Sequence, residues 1–214
     1  MSSDRSEIEA LLFDLGGVVI AIDFSRVIDV WAQRSESRRS DIATRFTIDD
    51  VYRRHEIGLI DAPTYFESLR HTLGIDLSDD DFMDGWLAVH VGSVDGIEEL
   101  LDCAAGTWPL YALTNTNAAH HDAGSVRFAD VLDRFEAVFD SPSIGLRKPD
   151  PEVYEYAAAR MGVAVDRILF FDDSRENVDG ARACGMPSVL VSSIGDVRAA
   201  LDTLEADGGA HDGS

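Results

Sequence analysis

Polar residues that could do chemistry follow several short apolar segments of this chain. In chain order they are Asp14, Thr114 with Asn115, Lys148, and Asp172 with Asp173. A lone Asp after a strand is usually a turn former. Carboxylates, a hydroxyl, an amide and an ammonium together, however, are the groups that phosphoryl transfer requires. A carboxylate can attack phosphorus, and cations and hydrogen-bond donors stabilise the charged oxygens of the transferring group.

The acidic positions in this set predict a magnesium site. Mg²⁺ prefers oxygen ligands in octahedral geometry, and it removes the repulsion between an attacking carboxylate and a phosphate. We expect Asp14 to be both the nucleophile and a metal ligand, with Asp173 and Asp172 as further ligands. Thr114 and Asn115 are expected to bind the phosphate oxygens.

Lys148 is the only lysine among the 18 Lys and Arg residues of the sequence. A position that keeps lysine in a chain that otherwise uses arginine is expected to need a compact ammonium, which the planar fork of arginine cannot replace. We therefore predict that Lys148 is catalytic and binds the phosphate. A surface lysine retained by chance is the alternative.

The segments that precede these residues are predicted to be strands of one sheet. They are Glu9 to Phe13, Pro109 to Leu113, Ala137 to Phe139, Ile168 to Phe171 and Ser188 to Val191. Short apolar strands without polar alternation are typical of a parallel sheet that is covered on both faces. Helical patterns such as Pro151 to Met161 lie between them. The alternation predicts a Rossmann-like, doubly wound α/β domain, in which ligands bind beyond the carboxyl ends of the strands.

Residues 23–92 interrupt this alternation. They lack strand signals and suggest four or so amphipathic helices, with Trp31, Trp86 and Phe24 at helical spacing as core residues. The pattern predicts a helical insertion into a core made of residues 1–22 and 93–204. The Gly- and Asp-rich segment 205–214 is predicted to be a disordered acidic tail.

Composition disfavours several classes of partner. With 40 acidic and 18 basic residues the net charge is −22, which repels nucleic-acid phosphates and anionic lipid. The polar N-terminus and the short apolar stretch 11–22 predict neither a signal peptide nor a membrane span, and hence a cytoplasmic protein. An acidic chain almost free of lysine favours a halophilic, salt-adapted protein. A GC-rich genome would explain the arginine but not the excess of aspartate.

Four motifs resemble those of the haloacid dehalogenase-like (HAD) hydrolases. They are Phe13-Asp14-Leu15-Gly16-Gly17-Val18, Leu113-Thr114-Asn115-Thr116-Asn117, Gly145-Leu146-Arg147-Lys148-Pro149-Asp150 and Phe171-Asp172-Asp173-Ser174-Arg175-Glu176-Asn177. The chain looks most like the small α-D-glucose-1-phosphate phosphatases and, more weakly, the phosphatase domain of soluble epoxide hydrolases. The resemblance implies a Rossmann-like core, a helical cap that selects the substrate, Mg²⁺ as cofactor and hydrolysis of a small phosphorylated metabolite. A sugar phosphate is the expected substrate.

Position 16 departs from the pattern of that family. Most of its phosphatases carry a second Asp two residues after the nucleophile, which protonates the leaving oxygen and later activates water, whereas this chain has Gly16. The Gly16 carbonyl can still bind Mg²⁺. Side-chain acid–base assistance is worth ~10²–10⁴-fold, so a catalytically weakened phosphate-binding protein is one alternative.

A metal-independent 2-haloacid dehalogenase, in which Asp14 attacks carbon, is the other alternative. Adjacent Asp172 and Asp173 argue against it, because neighbouring carboxylates repel strongly without a cation.

Other polar residues allow two interpretations each. His55 and Glu56 precede Gly58 and could face the site as a proton donor or a ligand of a sugar hydroxyl, or could simply end a helix. His120 and His121 could line the pocket or be structural.

Overall fold

A computed structural model describes residues 7–209 of the chain. Its strands are β1 (Ala10–Phe13), β2 (Ile20–Ile22), β3 (His90–Ser93), β4 (Leu110–Thr114), β5 (Ala137–Asp140), β6 (Ile168–Asp172) and β7 (Ser188–Leu190). Five of them form a parallel sheet in the order β5-β4-β1-β6-β7, and β2 and β3 form a separate antiparallel ribbon. The predicted doubly wound α/β fold is confirmed, and all five predicted strands belong to the parallel sheet.

Helices fill most of the remaining described residues. They are α1 (Phe24–Arg34), α2 (Arg39–Arg45), α3 (Asp50–Glu56), α4 (Ala62–Leu73), α5 (Asp79–Leu87), α6 (Ile97–Ala105), α7 (Ala118–Arg127), α8 (Ala129–Leu132), α9 (Ser141–Ile144), α10 (Pro151–Met161), α11 (Arg175–Ala183) and α12 (Ile194–Gly209), with a short 3₁₀ turn at Val165–Arg167. None of the helices described is both long and apolar enough to cross a membrane.

The central position of β1 determines where the polar residues meet. All four residues of β1 are buried, and the strand pairs in parallel with β4 on one side and β6 on the other. The carboxyl ends of these three strands therefore lie side by side at one edge of the sheet. Asp14, Thr114 and Asp172 are brought together there, although they are far apart in sequence.

The residues between β2 and β3 have a hydrophobic core of their own. Helices α1 to α5 surround the stacked rings of Trp31 and Trp86, whose centroids are 5.9 Å apart and whose side chains are fully buried. Separate clusters of buried side chains cover the two faces of the parallel sheet. We call residues 24–87 the helical insertion.

Two details of the secondary structure differ from the sequence predictions. The ribbon of β2 and β3 was not predicted, because strands of three and four residues with a bulge between Ala21 and Ile22 show no clear alternation. Residues 205–209, predicted to be disordered, continue α12, which packs through Leu201 and Leu204 against the core. Residues 210–214 lie outside the described part of the chain.

Candidate active site

Lys148 lies at the centre of the polar cluster, and its ammonium is buried. Nζ donates hydrogen bonds to the Leu113 carbonyl at 2.8 Å and to Asp172 Oδ2 at 2.7 Å, and it lies 2.8 Å from Asp14 Oδ1. An ammonium has three N–H donors, so each of them has an acceptor. Burial alone would lower the pKa of Lys148, but the charges of Asp14 and Asp172 raise it, and the side chain stays charged.

Asp172 is fully buried, and both of its carboxylate oxygens accept hydrogen bonds. Oδ1 accepts from the Ser174 backbone N–H at 2.8 Å and from Asn177 Nδ2 at 3.0 Å, while Oδ2 accepts from Lys148. These contacts fix Asp172 as a support for the lysine. They favour Asp173 over Asp172 as a direct metal ligand, a point that the sequence left open.

The three aspartates form a cluster that fits a divalent cation. Asp14, Asp172 and Asp173 each offer a carboxylate oxygen, and these atoms lie within 4.8 Å of one another. Burial, together with the charges of Asp172 and Asp173, raises the pKa of Asp14 to about 7 despite the nearby Lys148. Burial and the charge of Asp172 also raise the pKa of Asp173. One ammonium therefore does not compensate three carboxylates, and an all-oxygen set of ligands suits Mg²⁺.

Gly16 and Gly17, which follow Leu15, shape the side of the aspartate cluster that would face a metal. Gly17 has φ +85°, and a Cβ placed on it would lie 2.2 Å from Asp173 Oδ2, so a larger residue would displace that carboxylate. The chain turns here through hydrogen bonds from Ile20 N–H to the Leu15 carbonyl and from Gly17 N–H to the Ile20 carbonyl. The Gly16 carbonyl accepts no hydrogen bond from residues 7–209, which leaves it available to a cation.

Thr114 is the last residue of β4 and Asn115 follows it, but their side chains have different environments. The Thr114 hydroxyl makes no hydrogen bond within the described part of the chain, and its side chain lines a cavity. The Asn115 amide is engaged on both sides, because Oδ1 accepts from Lys148 N–H at 2.8 Å and Nδ2 donates to the Lys148 carbonyl at 2.9 Å. Asn115 therefore positions Lys148, while the second N–H of its amide makes no hydrogen bond within the described residues, so phosphate binding by Asn115 stays a prediction.

A cavity of about 220 Å³ lies beside Thr114, Asn115 and Gly16. The core contributes most of its wall, and the helical insertion contributes Phe24 and Tyr52. The volume is small compared with the ~300–1,000 Å³ of pockets for drug-sized ligands. Gly16, two residues after Asp14, belongs to this wall, so the cavity adjoins the aspartate cluster.

The histidines named as weaker candidates are mostly structural. His120 donates from Nε2 to the Trp86 carbonyl at 2.9 Å, and its Nδ1 lies 2.9 Å from Asn117 Nδ2, so both ring nitrogens are used. His55 packs inside the insertion, with its ring stacked at 4.7 Å on Tyr65. Both His120 and His121 line the cavity.

Glu56 also has a structural partner. Its carboxylate accepts a hydrogen bond from Arg147 Nε at 2.9 Å, so it connects the insertion to the residue before Lys148.

Two contributors to the site were not identified from the sequence. Asn177 belongs to the fourth motif, and its spacing of five residues from Asp172, one turn into a helix, is the signal that could have indicated its contact with that carboxylate. Tyr52 has no such signal, because only the packing of the insertion brings its side chain to the cavity.

Comparison with known proteins agrees with this arrangement. Residues 8–185 match the family described as haloacid dehalogenase-like hydrolase. The chain belongs to the haloacid dehalogenase-like hydrolases. The resemblance of the four motifs to this family is therefore confirmed.

Relatives of this hydrolase include phosphatases. Phosphatase MT3486 of Mycobacterium tuberculosis is 28% identical over 200 residues, which cover 89% of this chain and 90% of the relative. The D-ribitol-5-phosphate phosphatase of Bacteroides thetaiotaomicron is 22% identical over 206 residues, or 92% and 98% of the two chains. The crystal structure of the HAD family enzyme bt-2542 from the same organism, a complex with magnesium and inorganic phosphate, has a TM-score of 0.72 at 26% identity and covers 85% and 92% of the two chains.

Gly16, where most phosphatases of the family have an acid, lies beside Ile22 of the ribbon in this HAD hydrolase. A Cβ on Gly16 would lie 3.2 Å from Ile22 Cδ1, which is the end of a flexible side chain in the ribbon. The backbone at position 16 therefore allows an acidic residue. This sequence has glycine there although the fold does not require it. Any proton for a leaving oxygen has to come from water or from another part of the cavity.

Proposed function

We propose that this hydrolase is a Mg²⁺-dependent phosphatase that hydrolyses a small phosphomonoester through an aspartyl phosphate on Asp14. The contact of the Lys148 ammonium with both Asp14 and Asp172, beside Asp173, carries the proposal. Such a cluster could supply a nucleophile, a fixed cation and oxygen ligands for a metal at one point. Phosphatases among the relatives, and the magnesium and phosphate bound to bt-2542, support the same reaction.

Asp14, Asp173 and the Gly16 carbonyl would hold the metal, with Asp172 behind them. Bound Mg²⁺ neutralises charge on the transferring group and reduces its repulsion from the attacking carboxylate. The donors available are carboxylate and carbonyl oxygens, which is the set that this ion prefers. Asp172 is less suited than Asp173 to direct ligation of the metal, because both of its oxygens already accept hydrogen bonds from the protein.

The residues of the chain then divide the reaction into two displacements. The Asp14 carboxylate attacks phosphorus, the bond from phosphorus to the ester oxygen breaks, and the alcohol leaves after taking a proton from water, since Gly16 supplies none. Water next cleaves the aspartyl phosphate, releasing inorganic phosphate and restoring Asp14. The positive charge of Lys148 stabilises the phosphoryl oxygens electrostatically, the Thr114 hydroxyl donates a hydrogen bond to one of them, and Asn115 keeps the lysine in place.

A sugar or polyol phosphate is the substrate class that we favour. The cavity beside Thr114 is small, and the helical insertion covers it in the position of a substrate-selecting cap. One relative acts on D-ribitol 5-phosphate, according to its name.

Three experimental outcomes separate this proposal from its alternatives. We expect p-nitrophenyl phosphate to be hydrolysed with Mg²⁺ and not in excess EDTA, and Asp14→Asn to abolish turnover while the protein stays folded. An acyl phosphate trapped on Asp14 would be direct support.

Full activity in EDTA with no retained metal would contradict the metal site. Binding of phosphate without turnover would indicate a weakened binding protein, and release of halide from a 2-haloacid would indicate a dehalogenase.

We further infer a salt-adapted protein that works in the cytoplasm. Support comes from the net charge of −22 and from exposed arginine–carboxylate pairs such as Arg134 with Asp102 and Arg34 with Asp84. A strongly negative surface is tolerated best where salt screens it. Nucleic acid and membranes remain poor candidates as partners for the same electrostatic reason.

A further inference from the structure

The wall of the cavity beside Thr114 carries no lysine or arginine among the described residues. Its polar side chains are those of Tyr52, His90, Thr114, Asn115, Thr116, Asn117, His120, His121 and Ser125, and the others are apolar or glycine. Lys148 faces the aspartates and has no free N–H donor. A ligand in this cavity therefore meets no fixed positive charge apart from the centre that binds its phosphate.

The histidines of the wall do not supply that charge. Burial lowers the pKa of His120 to about 4, and burial with the nearby Arg127 lowers the pKa of His90. His121 Nδ1 lies 3.7 Å from Asp140 Oδ2, so this ring faces a carboxylate. A second anionic group on the substrate would lose its hydration here without gaining a cation.

Tyr52 is the polar side chain that the helical insertion presents to the cavity. Its ring packs against Phe46, Tyr65 and Trp86 at centroid distances of 6.4, 5.9 and 6.0 Å. The hydroxyl makes no hydrogen bond to any residue in the described range 7–209. Burial and the charge of Glu56 raise the pKa of Tyr52 far above its usual value, so the phenol stays protonated and can donate.

We propose that the leaving group of the substrate is an uncharged hydroxylated alcohol, that Tyr52 hydrogen-bonds to one of its oxygens, and that phosphoesters with a second anionic group are rejected. The proposal rests on the phosphatase function proposed above and adds the rejection of a second anionic group and a residue that determines specificity. Substrates with a second carboxylate are rejected because burying that carboxylate without a partner is costly. A substrate hydroxyl instead accepts a hydrogen bond from the Tyr52 phenol.

A matched pair of substrates tests the charge selection. Glycerol 3-phosphate and 3-phosphoglycerate differ in one group: the first has CH₂OH where the second has a carboxylate. We expect kcat/KM for glycerol 3-phosphate to exceed that for 3-phosphoglycerate by at least ~10-fold, since the carboxylate finds no partner. Ser125→Arg, which adds a cation at an exposed position of the wall, should reduce this ratio. Equal or reversed preference in the wild type, with p-nitrophenyl phosphate turned over normally, would overturn the proposal and leave the phosphatase function standing.

A matched pair of variants tests the role of Tyr52. Tyr52→Phe should raise KM for glycerol 3-phosphate by ~5-fold or more, and by much less for p-nitrophenyl phosphate, whose leaving group has no further hydroxyl. Tyr65→Phe is the control, because that buried hydroxyl also lacks a partner but does not line the cavity, and it should leave the ratio of the two substrates unchanged. Parallel losses on both substrates in Tyr52→Phe would refute a specificity role. Absence of any turnover by the wild type would instead refute the proposed function.

Discussion

Glu56 Oε2 accepts a hydrogen bond from Arg147 Nε at 2.9 Å, and both side chains are largely buried. Glu56 ends α3 of the helical insertion, while Arg147 immediately precedes Lys148. The Ser141 hydroxyl adds a second link by donating to the Glu56 carbonyl at 2.7 Å. The position of the insertion is therefore coupled to the loop that delivers the ammonium to Asp14.

A double-mutant cycle on Glu56 and Arg147 should detect this coupling. We expect Glu56→Gln, Arg147→Met and the double variant to give a coupling of about 1–3 kcal/mol in the free energy of unfolding, because each single change leaves a buried charge or polar group unpaired. The exposed pair Arg38 and Asp41 is the control, with a coupling below about 0.5 kcal/mol. Similar couplings for the two pairs would mean that burial adds nothing at Glu56.

The affinity for Mg²⁺ should depend on pH through Asp14. Its pKa of about 7, raised from the usual 3.8 by burial first and by Asp172 and Asp173 next, means that the metal-free folded protein holds a proton that the unfolded chain has lost. The contribution of Asp14 to the free energy of unfolding therefore falls as the pH rises from about 4 to about 7. Below about pH 7 the metal must displace this proton, and its affinity should rise by up to ~10-fold per pH unit.

Calorimetric titration of Mg²⁺ in two buffers of different ionisation enthalpy can count the displaced protons. About one proton should be released near pH 6, and close to none well above pH 7. Asp14→Asn should abolish the release, since the amide has no proton to lose. A dissociation constant for Mg²⁺ that does not change between these pH values would contradict the raised pKa.

Lys148 should tolerate no substitution. Lys148→Arg is expected to lose at least ~10-fold in turnover, because a planar guanidinium cannot direct three N–H donors to Leu113, Asp172 and Asp14. The sequence alone predicts that Lys148→Arg changes the melting temperature little. Because the ammonium is completely buried, removing its charge should cost stability. Lys148→Met should lower the free energy of unfolding by about 3–5 kcal/mol, because two buried carboxylates lose their partner.

Turnover of p-nitrophenyl phosphate and urea unfolding check both effects of the Lys148 variants. Arg160→Lys, an exposed exchange between the same two residue types, is the control and should change neither quantity. Wild-type turnover in Lys148→Arg would show that the lone lysine is an accident of composition.

Salt should stabilise the fold. The net charge of −22 makes the surface repel itself, and ions screen that repulsion. We expect the melting temperature to rise from dilute buffer to molar KCl, and to rise with KCl more than with an isosmotic concentration of an uncharged solute. A flat or falling melting temperature would contradict the interpretation of salt adaptation.

Several features of the site followed from residue type and spacing. Asp14, Thr114 and Asp172 each follow an apolar run, and a parallel sheet brings such strand ends together whatever the details of packing. The lone lysine indicated Lys148 without any structural information. The helix predicted over Pro151 to Met161 has the bounds that the structure gives it, because Pro and Gly mark its two ends.

The short ribbon and the last helix were not predictable in the same way. Strands of three and four residues carry too little periodicity to be detected, and the pairing of β2 with β3 joins segments nearly 70 residues apart. Residues 205–209 look disordered by composition, yet they continue a helix held by Leu201 and Leu204. In both cases contacts between distant parts of the chain outweigh local preference.

The sequence by itself determined the family, the α/β fold and the set of chemical groups, because these depend on residue types that must follow particular strands. Only the tertiary structure decided which neighbours each of these groups contacts. It engages both sides of the Asn115 amide with Lys148 and gives both oxygens of Asp172 hydrogen-bond donors. It also brings the Tyr52 side chain to a cavity wall that has no lysine or arginine among the described residues. Hydrogen-bond partners and burial are properties of three-dimensional neighbours, and neighbours from the insertion and the core meet only when the chain has folded.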